Sequence, residues 1–163
     1  MKKIVFSIII IFSAIALYGN GPKITVIPFT NANGNQEFDK YSFEMQDSLQ
    51  KLMQTHGDSM KYEVIPYEEI TKLLTERQIT EENVQYETYM WQYAEELGVN
   101  YIITGNFLNQ ADKFIINTYI YDVAMKIPIT SHQAKDIFVP QDKILMSVKP
   151  IYNRLVKYFN MAN

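Results

Sequence analysis

The sequence predicts an α/β fold, a single domain in which helices pack on one mixed β-sheet in the order β-α-β-α-α-β-β-β-α. Three observations carry that reading. Residues 94–107 (Ala-Glu-Glu-Leu-Gly-Val-Asn-Tyr-Ile-Ile-Thr-Gly-Asn-Phe) read as a helix end, a glycine stop and an apolar strand. Gly98 suits the left-handed turn that closes a helix, and Val99 to Ile103 is rich in β-branched side chains, as a strand covered on both faces is. Residues 114–123 alternate instead, with Phe114, Ile116, Thr118 and Ile120 on one side and Asn117, Tyr119 and Tyr121 on the other. That is the pattern of a half-buried antiparallel strand. Finally, the early strands are separated by helical segments and the later ones by short turns, which together give a mixed sheet.

Lys23 to Phe29 forms the first strand, and Pro28 marks its end because proline cannot donate to a ladder. Residues 30–35 are an Asn- and Gly-rich loop. From Gln36 to His56, the residues Phe38, Tyr41, Met45, Leu49, Leu52 and Met53 recur at helical spacing, and Gly57-Asp58 ends that helix. Tyr62 to Pro66 is the second strand, followed by a helix from Tyr67 to Arg77 with Ile70, Leu73 and Leu74 turned inward. Thr80 has the character of an N-cap, with Glu81 and Glu82 at the positive end of a helix that runs to Leu97. The strand from Val99 to Phe107 turns at residues 110–113 into the strand from Phe114 to Val123. A turn at Met125-Lys126 leads to a returning strand, Ile127 to Val139, irregular around Ser131 to Ala134. The tail from Gln141 to Phe159 places Ile144, Val148, Ile151 and Leu155 on one helical face. Pro150 falls inside that pattern, so the helix is either kinked there or restarted with Pro150 in its first turn.

A chain of 163 residues has room for one domain with a genuine core. Hydrophobic content of 47% against 20% charged describes a folded chain. Lys2 and Lys3 precede an apolar run, Ile4 to Leu17, that is short for a bilayer span, with Ala14, Ala16, Gly19 and Gly21 following. Residues 1–21 therefore read as a signal peptide, with an uncleaved signal anchor as the alternative, and residues 22–163 as the exported domain. The expected location is the periplasm, with outer-membrane association open, and contact with a membrane is expected only indirectly or through that anchor. The net charge is −3, and loss of Lys2 and Lys3 makes the remainder more acidic still. Such a chain lacks the clustered Lys and Arg that nucleic-acid phosphates demand. There is no cysteine, which excludes disulfides, thiolate nucleophiles, Cys-based zinc sites and a lipidated cysteine.

No catalytic constellation emerges. His56 and His132 are the only histidines and lack metal-motif spacing, so no metal is expected. The six glycines, at 19, 21, 34, 57, 98 and 105, form no phosphate loop, so no cofactor is expected. Glu68-Glu69, Glu81-Glu82 and Glu95-Glu96 are adjacent on helices and point in different directions. The alternative of an envelope hydrolase or carbohydrate-binding protein using Glu and Asp needs two carboxylates facing each other across a cleft, one of them desolvated. The best candidate for recognition is the aromatic run that carries Tyr86, Tyr89, Trp91 and Tyr93. Four rings in eight residues span too much arc for one buried helical face, and Tyr and Trp anchor protein interfaces. The competing reading has these rings padding the edge of the sheet.

Four segments together resemble the amino-terminal domain of TolB and the related CsgG/LpoB/FlgO-like envelope domains. They are Ile24-Thr25-Val26-Ile27-Pro28-Phe29, Tyr62-Glu63-Val64-Ile65-Pro66, Leu97-Gly98-Val99-Asn100-Tyr101-Ile102-Ile103-Thr104-Gly105, and the hairpin opened by Asp112-Lys113-Phe114. In order and spacing they are similar to that family's "VLPF"-like strand, second proline-ended strand, "LGADYVLTGS"-like turn and meander, over about residues 24–159. The resemblance implies a non-enzymatic envelope module that binds envelope assembly proteins or peptidoglycan synthases. It also leaves room for a homo-oligomer in a secretion or flagellar-associated structure.

Overall fold

The structure is a computed structural model that describes residues 21–161; apart from Gly21, the expected signal peptide lies outside the described residues. Among these residues the chain forms β1 (Lys23–Val26), β2 (Thr30–Asn31), α1 (Lys40–Met60), β3 (Glu63–Val64), α2 (Tyr67–Glu76) and α3 (Tyr86–Glu96). It continues through β4 (Tyr101–Gln110), β5 (Lys113–Asp122), β6 (Ile127–Pro128), β7 (Ala134–Pro140) and α4 (Val148–Met161). The strands make one open mixed sheet, ordered β3-β1-β4-β5-β6, with β2 also paired to β4 and β7 also paired to β5. The strands joined through helices are parallel, β3 and β4 both flanking β1. The later hairpins are antiparallel, and β4 pairs with β5 over their full length from Tyr101↔Asp122 to Gln110↔Lys113.

The mixed α/β sheet is therefore as the residue pattern predicts, and the departures from that pattern are local. The first strand is split. Pro28 has no N–H, so β1 stops and the chain rejoins β4 further along as β2, with Thr30 opposite Asn106. A short 3-10 turn at Gln36–Phe38, capped by the Asn35 side chain, precedes α1. That helix runs through Gly57 to Met60, and Lys61 in the left-handed region (φ 57°) terminates it. A helical glycine costs only about 1 kcal/mol, and here a Cβ would lie 3.0 Å from the Tyr62 carbonyl oxygen.

The third helix begins at Tyr86 and not at Thr80. Residues 80–85 wind as turns, in which the Asn83 side chain accepts the Gln85 N–H at 2.8 Å, an arrangement that competes with regular helix. The Thr80 hydroxyl, together with a backbone hydrogen bond, holds the Glu82 carboxyl below the usual carboxylate range. The expected irregularity after β6 is present as the break before β7 and a register shift opposite Ile116 and Thr118. The tail restarts: a 3-10 stretch at Gln141–Ser147 leads into α4, with Pro150 in its first turn, where a missing N–H is harmless.

Helices cover the two faces unequally. Beneath α1 and α4 lies the larger core, including Ile24, Met45, Leu49, Ile103, Phe107 and Phe114. Beneath α2 and α3 lies a smaller one, including Ile27, Ile70, Leu74, Ala94 and Ile102. Successive strand residues point to opposite faces, so Ile102 and Ile103 serve different cores.

Candidate functional site

The smaller core leaves part of its face of the sheet uncovered, and a groove of about 500 Å³ runs between α3 and the strands there. Its position follows from the alternation of β5. Thr118 and Ile120 are buried toward α1 and α4, so Tyr119 and Tyr121 must point outward, beside α3. Trp91 meets Tyr121 edge-on, with ring centroids 5.7 Å apart and planes at 86°. Tyr119 lies 6.2 Å from Tyr121 along the strand. The Lys135 ammonium lies over the Tyr119 ring, 5.3 Å from its centroid. Burial, then Tyr119, then the Glu87 carboxylate push the Tyr121 phenol above its ordinary pKa.

Polar groups complete the groove. The Thr104 hydroxyl donates to the Pro28 carbonyl at 3.0 Å. The Asn117 side chain donates to Asn106 Oδ1 at 3.2 Å, and its own oxygen accepts the Asp136 N–H at 3.0 Å. Gly105 is also part of the groove. A Cβ there would sit 2.0 Å from the Asn117 carbonyl oxygen and 2.9 Å from the Phe29 ring, so the strand pairing itself requires glycine.

Of the four aromatic residues singled out in the sequence, Trp91 alone is among the groove's lining residues. Tyr93 is corrected from contact residue to core: it is 2% exposed. Its ring stacks with Tyr89 at 6.1 Å and lies 4.5 Å from the Arg77 guanidinium. Tyr86 and Tyr89 pack against the smaller core. The Tyr67 phenol is raised above its ordinary range, first by burial and then by its hydrogen bond to Tyr86. Trp91 and Tyr93, two residues apart on α3, point to opposite sides of the helix, one toward the groove and the other into the core. Sequence reasoning passed over Tyr119 and Tyr121. Their signal was two aromatic residues on the polar side of an alternating strand.

Carboxylates gather in two other grooves. Glu37, Asp112 and Asp142 line one of about 450 Å³, and Glu95 and Asp122 line one of about 540 Å³. Apart from half-buried Asp122, all are exposed to solvent, unlike the desolvated acid that glycoside cleavage requires. Among the described residues, no group of three or more His, Asp or Glu side chains is placed to hold a metal ion. No helix among them is long and apolar enough to cross a membrane.

No protein-family model matches this sequence, and no curated protein matches it. Solved structures match it in shape. The LpoB carboxy-terminal domain from Salmonella enterica aligns with a TM-score of 0.54 at 13% identity, over 75% of this chain and 84% of that one. The fold is similar to that of the LpoB carboxy-terminal domain. The equivalent domain from Escherichia coli gives 0.51 at 12% identity, over 74% of this chain and 84% of that one. TolB from Acinetobacter baumannii aligns over 86% of this chain at 19% identity with a TM-score of 0.45, and this chain spans 28% of TolB's length. The resemblance to LpoB-like domains read from the strand motifs is thus matched by a likeness of fold.

Proposed function

We propose that this protein is a non-enzymatic module of the bacterial cell envelope, and that it holds a protein partner in the groove between α3 and the open part of the sheet. One observation carries the reading. Trp91, Tyr119 and Tyr121 converge on a groove beside α3 that no helix among the described residues closes over. Large aromatic rings offer contact area at little conformational cost, and they dominate the centres of protein interfaces. The shared fold with the LpoB domain supports an envelope setting, and the apolar run from Ile4 to Leu17 supports export to the periplasm.

The test is site-specific photo-crosslinking of the full chain in native envelopes. A crosslinker replacing Tyr119 captures a partner. One replacing Lys149, which is exposed on α4 beneath the opposite face, does not. Trp91→Ala combined with Tyr121→Ala abolishes capture from position 119. Equal capture from both faces, or capture that survives the double substitution, overturns the site. Light scattering on the purified chain decides whether that partner is a second copy.

A further inference from the structure

The groove beside α3 has a definite chemical character, and the ligand class it selects rests on its being the partner site. Trp91 and Tyr121 offer a ring edge and ring faces within 5.7 Å of each other. The lip beside them is acidic. Glu87 is exposed, lines the groove and acts on the Tyr121 phenol. It forms no ion pair among the described residues, where the pairs are Lys51–Asp47 and Arg77–Glu96. Glu81 and Glu82, in the turns just before α3, are exposed as well. Lys135 already rests its ammonium over Tyr119, so this surface holds a cation against one ring while the carboxylate facing the next ring is unneutralised. Aromatic faces attract cations through their quadrupole, and partial exclusion of water strengthens both that attraction and the pull of a carboxylate.

The surface also continues in one direction. Along the outward side of β5, Tyr121, Tyr119, Asn117 and Ile115 follow one another at alternate positions. The register sets Ile115 between Leu108 of β4 and Phe138 of β7, and Phe138 is 60% exposed. The track is thus acidic and aromatic at one end and apolar at the other, over about 20 Å at the rise of an extended strand.

We propose that the groove receives a lysine or arginine side chain carried by an extended peptide segment of the partner. The cation lodges between Glu87 and the Trp91–Tyr121 pair, and apolar side chains of the same segment reach Ile115 and Phe138. Charge complementarity selects this occupant: a basic segment neutralises Glu87, and an acidic chain of net charge −3 attracts it. A zwitterionic lipid headgroup would bring a phosphate toward the same carboxylates.

Trp91 is the chain's single tryptophan, so its emission reports on the groove directly. The full chain is titrated with acetyl-Thr-Lys-Thr-Thr-Thr-Val-Thr-Val-Thr-amide, whose last valine is six residues from the lysine, and with twins in which the lysine is glutamine or glutamate. The lysine peptide shifts the emission saturably and binds about tenfold more tightly than the glutamine twin, with the glutamate twin weaker again. Glu87→Gln removes most of that preference. Glu95→Gln, two turns along α3 in a different groove, leaves it intact. The proposal is overturned if the lysine and glutamine twins bind alike, if Glu87→Gln leaves the preference unchanged, or if no peptide moves the emission. It is also overturned if phosphatidylcholine vesicles shift the emission more than the lysine peptide does. Should crosslinking from position 119 capture a partner while the peptide preference is absent, the partner site stands and its cationic chemistry falls.

Discussion

The two faces of the sheet are built from the same strands and have opposite fates. Toward α1 and α4, β5 contributes Phe114, Ile116, Thr118 and Ile120, all fully buried. Toward the other face, it contributes Ile115, Asn117, Tyr119 and Tyr121, all only half-buried. The difference is one of helix cover. Helices α1 and α4 close the first face, with α4 also packing on β7, whereas α2 and α3 pack mainly on each other and on Ile27, Ile102 and Val123. A covered face fixes the fold, and a partly covered face is where a partner can add contacts without unfolding anything.

The sharpest way to break that contrast is to empty the closed face. Phe114 packs edge-on against Phe107, Phe38 and Tyr41, with centroids 5.1–5.6 Å apart. Phe114→Ala lowers unfolding stability by about 3–5 kcal/mol, the range for a large buried ring, as read from the urea midpoint. Gly105→Ala follows. The new methyl meets a backbone oxygen that cannot swing aside, and a loss of about 1–3 kcal/mol is expected on the overpacking scale, read by thermal melting.

A pH titration reads the phenols packed around α4. The Tyr158 pKa is pushed up to about 12, first by burial and then by its hydrogen bond with Tyr101. Tyr62 is pushed up further, by burial and then by Tyr152. A phenol whose pKa is higher folded than unfolded stabilises the neutral form in the native state. That stability is complete below the unfolded value near 10 and is lost as pH rises through about 12. Alkaline melts should therefore fall steadily across pH 10–12, and Tyr158→Phe should shallow the fall. A pH-independent melting temperature over that window would show that these phenols do not set the alkaline limit.

The smallest effect on stability belongs to the open face. Tyr119→Ala should change unfolding stability by no more than about 1 kcal/mol, as for a partly exposed side chain, while reducing partner capture at least severalfold. If it unfolds the chain as Phe114→Ala does, the two faces are energetically alike and the open face is core.

Most of the architecture was legible in local pattern. Gly98 closes α3 with φ +73°, the alternation of residues 114–123 is β5, and Pro28 and Pro66 end their segments, because each rests on the backbone chemistry of one or two residues. The misplaced boundaries have a different origin. Helix α1 passes Gly57 because Tyr62 packs against that turn, and α3 starts late because the Asn83 side chain bonds locally. The candidate site was half legible. Trp91 stood out in the aromatic run, but its companions, Tyr119 and Tyr121, lie about thirty residues away. No periodicity within one element can report a contact between two.

The sequence by itself determined the fold class, the order of elements, the acidic and cysteine-free composition, and which strand residues share a side. Those properties follow from composition and from the fixed periods of helix and strand. Only the tertiary structure decided which side is closed. That depends on where α2 and α3 come to rest against the sheet, and hence on the packing that buries Tyr93 and leaves Trp91 beside Tyr121.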